Sequence, residues 1–417
     1  MTKKDLIICL YGSTGDLAFR KLLPAISNLK YNNKLPSKTK ILVLGRRDFN
    51  TKDYFDFINS NNGGNNFSNL VEITEYINMQ ISDLNDFGPL SEAITNYSNK
   101  ETIVIHYLAI SSNLMLDVAK NISDAKLVIK NNLNHRIVFE KPFGNDFISS
   151  SKINNQLLNM FDESQIFRID HYLGKDLIKA ILDLRFKTNL LESALSPEKL
   201  LSIDIVAKEE DGILNRGAFY DETGAIKDMF QSHLLQIVSL LTMNKPKKFT
   251  SDVIANEKVK ALKKTKIKED SIVFGQYYSY LEEENVSSNS LTETLIKLTL
   301  NIKNKFKNVD INIFTGKKLD KKETYIKFNL KDGSEINLNI FPNKSIVLKT
   351  KLLNEVIDTG YNFKNIDDEY ATLINAVINN YRENFVRSDE IEIAWKISDE
   401  LLSYKDGLTI YNEKTFK

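Results

Sequence analysis

Leu6-Ile7-Ile8-Cys9-Leu10-Tyr11-Gly12-Ser13-Thr14-Gly15-Asp16-Leu17-Ala18 is the stretch that decides the fold of the first part of this chain. Leu6 to Tyr11 are apolar without interruption, the pattern of a strand buried on both faces, as in a parallel sheet. A glycine turn follows. Residues 16–31 then carry Leu17, Leu22, Leu23, Ile26 and Leu29 at helical spacing. Strand, glycine turn and helix in that order form a phosphate-binding device. Glycines let the backbone turn sharply and approach a pyrophosphate, and the N–H groups and dipole of the helix start attract it. The G-x-x-G-x-x-A spacing is not the usual G-x-G-x-x-G, so the motif takes its value from this context.

Outward from that unit the alternation continues. Residues 40–44, 103–110 and 136–139 read as further strands, with helical stretches between them such as residues 111–121. Strands alternating with helices imply a parallel sheet covered on both faces. Residues 146–161 and 175–191 read as helices. Beyond residue 200 the strand-like runs 202–207, 295–302, 324–330 and 335–341 follow, with Asp332-Gly333 as a hairpin turn between the last two. This half reads as an α+β domain with a mainly antiparallel sheet, closed by a helical tail over residues 367–402. Residues 59–69 read as a surface loop, and the lysine-rich run 258–268 as a solvated face.

A length of 417 residues calls for two domains. With 56 Lys+Arg against 55 Asp+Glu the net charge is +1, so no global field draws the chain to nucleic acid or to a membrane surface. No apolar run reaches the roughly 20 residues that a bilayer-crossing helix requires. The short apolar stretch behind Met1 lacks the pattern of a secretory leader, and the single cysteine, Cys9, fits a reducing cytoplasm. Cys9 itself reads as a small buried hydrophobe. No metal site is expected.

The second strand ends Val43-Leu44-Gly45-Arg46-Arg47. An NAD enzyme usually carries a carboxylate there for the ribose 2′-hydroxyl, whereas a guanidinium pairs with the dianionic 2′-phosphate of NADP. Arg46, with Arg47 beside it, is therefore read as the NADP selector, and Asp48 leaves NAD use open. Of the four histidines, His106 sits in an apolar run and reads as core, and His135 lies ahead of a strand. His171 is surrounded by Arg168, Asp170, Tyr172 and Lys175. His171, Tyr172 and Lys175 offer the cationic and hydroxyl donors that a phosphate monoester needs. His233, in Asp228-Met229-Phe230-Gln231-Ser232-His233 at the start of an apolar helix, is of the type that removes a hydroxyl proton as hydride departs. Glu140-Lys141-Pro142-Phe143-Gly144 ends a parallel strand, where ligands of such sheets bind, and its Lys141–Pro142 bond can be cis or trans, trans being commoner.

Together these segments resemble the glucose-6-phosphate dehydrogenase family. The dinucleotide turn, residues 140–144, Arg168-Ile169-Asp170-His171-Tyr172-Leu173-Gly174-Lys175 and Gly224-Ala225-Ile226-Lys227-Asp228 through His233 carry the likeness. Weaker matches are Glu257-Lys258-Val259, Thr292-Glu293-Thr294, Gly316-Lys317-Lys318-Leu319 and Phe385-Val386-Arg387-Ser388-Asp389-Glu390. The resemblance implies an NADP-binding Rossmann-type domain over residues 1–170. It implies an α+β substrate-binding and dimerisation domain with a large, mainly antiparallel sheet over residues 171–417. It implies oxidation of glucose 6-phosphate to 6-phosphogluconolactone, the first step of the oxidative pentose phosphate pathway, by a homodimer or higher homo-oligomer. His233 would be the general base and Asp170 its carboxylate partner. His171, Tyr172 and Lys175 would hold the phosphate, Glu209 and Asp228 the sugar hydroxyls, and Lys141 both sugar and cofactor. Lys317 and Lys322 match basic positions near the substrate. Gly12, Ser13, Thr14, Gly15, Asp16, Leu17, Arg46 and Arg47 would hold the cofactor.

Some positions depart from the family pattern. Ser111-Ser112 replaces Pro-Pro, Lys179-Ala180 replaces Gln-Asn, Lys227 an arginine, Ser232 an asparagine and Phe341 a glutamine. A terminal Gly-Ser-Trp-Gly-Pro segment is lacking. Two other readings stay open. One is a related NAD(P)-dependent oxidoreductase of unphosphorylated sugars, since Glu-Lys-Pro also follows the dinucleotide domain in the glucose–fructose oxidoreductase and inositol dehydrogenase group. The other is a non-catalytic relative that binds NADP.

Overall fold

A computed structural model describes residues 4–61, 67–189, 191–350, 357–358, 368–413 and 415–416. The chain forms two compact units that share it unevenly. The first comprises Met1–Gly144, Ile148–Gly174 and Asp367–Ser388; the second comprises Asn145–Phe147, Lys175–Ile366 and Asp389–Lys417. A cut at residue 170/171 assigns residues 367–388 to the second domain. The structure places them in the first unit, because their apolar face packs there.

The first unit is built on six parallel strands, β1 (Leu6–Tyr11), β2 (Thr39–Gly45), β3 (Thr74–Asn78), β4 (Ile103–Leu108), β5 (His135–Phe139) and β6 (Ile166–Arg168), in the order β3-β2-β1-β4-β5-β6. The order reverses between β1 and β4, the switch point at which open parallel sheets bind ligands. β1 and β4 are buried at every residue, which explains their unbroken apolar runs. The helix expected after the turn opens with a π-helical stretch, Ala18–Leu22, and continues as α1 (Leu23–Tyr31). α2 (Thr51–Asn61) follows β2. The loop expected over residues 59–69 lies partly outside the described residues; Asn61 still belongs to α2, and a short helix occupies Ser68–Val71. The helical tail is two helices, Glu369–Asn379 and Ser388–Ser403, separated where Asn380 takes the left-handed conformation at φ 59°. Ala371, Leu373, Ile374, Ala376, Val377 and Ile378 of the first of these join the core formed by Ile8, Leu10, Leu22, Ile26 and Ile105.

Among the described residues the second unit carries nine strands: β7 (Leu200–Lys208), β8 (Thr265–Tyr277), β9 (Leu295–Ile302), β10 (Asp310–Gly316), β11 (Glu323–Leu330), β12 (Glu335–Phe341), β13 (Ser345–Lys349), β14 (Ile357–Asp358) and β15 (Thr409–Tyr411). Their order is β14-β13-β12-β11-β7-β10-β9-β8-β15, and only β7–β10 and β8–β15 run parallel. The sheet is thus mainly antiparallel, as expected from its strand-like runs and the Asp332-Gly333 turn. The burial of β10, β11 and β12 alternates residue by residue, one face apolar and one half-open. On the half-open face Asp204 accepts from Asn312 at 2.7 Å and from Asn329 at 2.8 Å, a polar ladder across three strands. The turn Lys331–Ser334 joins β11 to β12 with Gly333 at φ 85°. Within this unit the helix Leu235–Thr242 is buried at every position.

The lysine-rich run 258–268 is solvated at Lys260, Lys263, Lys264, Lys266 and Lys268, and Lys258 is the exception. Residues up to Lys263 are helical, residues from Thr265 are β8, and Lys258 is buried to 1% exposure in an ion pair with Glu390, itself 0% exposed, at 2.6 Å. Burial of such an ammonium requires a partner, and the partner lies far along the chain.

Candidate functional site

The residues named from sequence divide between the units. Gly12 to Leu17, Arg46, Arg47, Lys141, Asp170, His171 and Tyr172 belong to the first; Lys175, Glu209, Asp228, His233, Lys317 and Lys322 belong to the second.

In the first unit, the turn after β1 depends on glycine. Gly12 has φ +75°, and a Cβ there would lie 2.4 Å from the Ala109 carbonyl oxygen. Gly15 N–H donates to Gly12 O at 2.9 Å and closes the turn. Ser13 is fully buried, its hydroxyl donating to Leu44 O at 2.9 Å, so it serves the turn with its backbone and anchors it to β2 with its side chain. Asp16 pairs with Arg20 at 2.7 Å on an exposed face. Arg46 and Arg47 stand exposed just past β2. A glycine turn between a buried strand and a helix, at the switch point of a parallel sheet, fits a nicotinamide dinucleotide.

At the far side of the same sheet, β5 and β6 end on two functional stretches. After β5 come Glu140 and Lys141, with the Lys141–Pro142 bond cis. After β6, Asp170 is 2% exposed and its Oδ1 accepts from Tyr172 N–H at 3.0 Å. Leu173 N–H donates to Asp170 O at 3.0 Å, so a single short turn fixes the carboxylate and presents His171 and Tyr172, whose rings meet edge-on at 5.1 Å. Gly174 is required here, since a Cβ would lie 2.7 Å from the Glu369 carbonyl oxygen. Glu140 Oε1 accepts a 2.6 Å hydrogen bond from the buried Tyr107 hydroxyl. Burial pushes the Glu140 carboxyl up to about 7, and the Asp170 charge adds to that while Tyr107 and Lys141 oppose it.

In the second unit, His233 is 1% exposed. It lies late in a π-helical stretch, Ile226–Leu234, that leads into the helix Leu235–Thr242, and so ahead of the apolar helix it was expected to open. Such π turns are frequent at functional sites because they re-aim side chains. Asp228 lies in the same stretch. The stretch starts from Gly224 at φ +64°, pressed on the Glu293 carboxylate, which accepts from Ile226 N–H at 3.1 Å. Glu209, just beyond β7, and Lys317, just beyond β10, form a 2.6 Å ion pair with Lys317 2% exposed. Lys317 Nζ also lies 5.1 Å above the Tyr220 ring. Burial holds the Tyr220 hydroxyl well above its usual range, and the nearby charges of Asp228, Glu293 and Glu209 add to it. Three carboxylates and Lys317 thus converge around one tyrosine. Lys322 is placed otherwise, exposed, with its ammonium 5.4 Å above the ring of Phe341. Lys175 is the N-cap of the helix Asp176–Phe186.

The family model for the NAD-binding domain of glucose-6-phosphate dehydrogenase matches residues 9–180, and that for its C-terminal domain matches residues 182–416. The chain belongs to the glucose-6-phosphate dehydrogenase family. It is 33% identical to glucose-6-phosphate 1-dehydrogenase of Buchnera aphidicola subsp. Schizaphis graminum, covering 96% of this chain and 90% of that protein. It is 30% identical to the enzyme of Kluyveromyces lactis over 97% and 90% of the two chains. A solved glucose-6-phosphate dehydrogenase in complex with its substrate glucose 6-phosphate superposes with a TM-score of 0.91, at 28% identity over 99% of this chain and 95% of that one. The Mycobacterium avium enzyme gives a TM-score of 0.87 at 27% identity, over 99% and 94% of the chains. A 3-ketoreductase from Actinomadura kijaniata, 11% identical with a TM-score of 0.57 over 98% and 99% of the chains, shares the fold alone.

Within this family frame, several supporting residues escaped sequence reasoning. Glu293 sat in a weak match and carried no role; it holds the turn from which the Asp228–His233 stretch begins, and pairs with Lys405. Tyr220 gave no signal at all. Glu163 joins Arg168, fully buried, at 2.7 Å and also accepts from Ser388 N–H at 3.1 Å, while Arg168 bridges Val386 through the backbone. The segment 168–174 is therefore pinned at its start by residues 163 and 386–388, a tie that only the co-occurrence of both segments as family matches could have suggested.

Proposed function

We propose that this chain oxidises glucose 6-phosphate at C1 to 6-phosphogluconolactone with NADP as hydride acceptor. The observation that supports this most is the ending of adjacent parallel strands β5 and β6 on Glu140-Lys141 and on the rigid Asp170-His171-Tyr172 turn, in a chain of this family. Bound NADP would supply the hydride acceptor, with the glycine turn receiving the pyrophosphate and Arg46 and Arg47 the 2′-phosphate. His171, Tyr172 and Lys175 hold the substrate phosphate. Glu209 and Asp228 hold the sugar hydroxyls, Lys317 and Lys322 supply positive charge near the substrate, and Lys141 serves substrate and cofactor. His233 takes the C1 hydroxyl proton as the C1 hydride departs, and Asp170 is the carboxylate that keeps the imidazole basic and oriented.

Cytoplasmic location and a homodimer or higher oligomer complete the proposal. Among the described residues no helix is long and apolar enough to cross a membrane. The test is spectrophotometric: NADPH should form with glucose 6-phosphate and not with free glucose, and His233→Asn should abolish it with thermal stability retained. Turnover of free glucose at a comparable rate, or full activity in His233→Asn, would overturn the reading.

A further inference from the structure

The two arginines after β2 are not equivalent. Arg47 Cζ lies 4.3 Å from the centroid of Phe57 on α2 and 5.8 Å from that of Phe49. The two phenylalanine rings are themselves in contact at 5.6 Å, and Phe49 meets Tyr76 at 5.8 Å. The backbone is fixed as well, because Arg47 O accepts from Phe49 N–H at 2.9 Å and from the Tyr76 hydroxyl at 2.9 Å. The aromatic run does not stop there. Tyr76 packs on Tyr54 at 5.4 Å, and the Tyr54 hydroxyl donates to Ser13 O at 3.1 Å. One set of rings thus connects the pyrophosphate turn after β1 to the guanidinium after β2.

We infer that Phe57 is a specificity-determining residue that acts through Arg47. An exposed arginine side chain samples many rotamers, and ordering it against a ligand costs free energy. A guanidinium already lying on a ring has met part of that cost, and its N–H edges stay available, since the ring occupies only its face. Arg47 is in this sense a prepared donor, whereas no aromatic contact of this kind is seen for Arg46 among the described residues. The ligand that profits is one with a dianionic phosphate monoester where the second strand of the sheet ends. NADP carries that group on its ribose, and NAD carries a hydroxyl. Phe57 lies on α2, so its contribution enters the discrimination between the two cofactors and not the shared pyrophosphate contacts. This inference rests on the reading of the arginine pair as the 2′-phosphate site.

The experiment is equilibrium binding of NADP and of NAD to the full chain by titration calorimetry, for wild type, Phe57→Leu, Phe57→Tyr, Arg47→Ala and the Arg47→Ala/Phe57→Leu double variant. Phe57→Leu should weaken NADP roughly 2–5-fold, the worth of an exposed cation–π contact, and leave NAD unchanged. Phe57→Tyr should restore wild-type binding, and Phe57→Leu should add nothing once Arg47 is alanine. A loss common to both cofactors, or one that persists in the Arg47→Ala background, would mean that Phe57 only supports α2, and the inference would fall. If wild type and Arg47→Ala differ in cofactor preference but Phe57→Leu does not, this inference alone fails. If wild type binds NAD as tightly as NADP, the arginine-pair reading fails with it.

Discussion

Replacing Glu390 by glutamine removes the anion from the pair with Lys258 and leaves an ammonium in a site from which water is excluded. The Nζ–Oε2 distance is 2.6 Å and the side chains are 1% and 0% exposed, so solvent offers no replacement partner. Breaking a buried pair by removing one member costs about 3–5 kcal/mol. For a unit of this size roughly 2–4 °C of melting temperature accompany each kcal/mol, so the transition should fall by roughly 6–20 °C. Thermal melts by circular dichroism, with urea unfolding as a check that the midpoint moves while the m-value holds, would measure it. The companion is Lys258→Met with Glu390→Leu. Removing both charges and filling the volume should return stability to within about 1 kcal/mol of wild type, or above it. A Glu390→Gln variant that melts within about 2 °C of wild type would refute the argument, because the buried ammonium would then need no partner.

On the proposed role of Asp170 as partner of the base, Asp170→Asn should lower kcat more than it raises KM for glucose 6-phosphate; a pure KM effect would contradict that role. Arg46→Ala should weaken NADP much more than NAD in equilibrium binding, and equal losses would remove Arg46 as selector. His106 is buried on β4 against the Tyr11 hydroxyl at 2.9 Å, and burial, helped by the charge of His135, pushes it down to about 3 from 6.5. The folded state therefore holds it neutral while the unfolded chain takes up its proton below pH 6.5, so its contribution is complete above that pH and is lost as pH falls toward 3. Between pH 6.5 and 5 this loss is about 2 kcal/mol, and His106→Gln should show a correspondingly shallower acid limb in melts across that range.

The elements legible in sequence were the covered parallel strands and the longer strands of the second sheet, such as β9, β11 and β12. β1, β2, β4 and β5 lie inside a covered parallel sheet and read as apolar runs. β3, Thr74-Glu75-Tyr76-Ile77-Asn78, is an edge strand with polar residues at both ends, and β6 is three residues long, so neither offered a period to detect. The candidate site was read from residue chemistry and not from periodicity. His171, Tyr172, Lys175, Arg46 and Arg47 are residue types with few bland uses in such clusters. The residues that escaped are different in kind: Glu293, Tyr220 and Glu163 meet Ile226, Lys317 and Ser388 across long sequence separations. Lys258 looks solvated in sequence for the same reason, as a lysine among lysines, until Glu390 is brought to it.

The helix Glu369–Asn379 completes the core of a unit whose sheet was finished by residue 168, and Arg136 there donates to the Ile378 carbonyl oxygen at 2.8 Å. On a ribosome the sheet strands emerge early and must wait while eight of the nine strands of the second sheet are synthesised before that helix arrives. The nascent cofactor-binding half would meanwhile expose the apolar surface reserved for Leu373, Ile374 and Val377. A gene fragment ending near residue 174 inherits the same gap, so the natural unit of inheritance for this fold is the uncut chain.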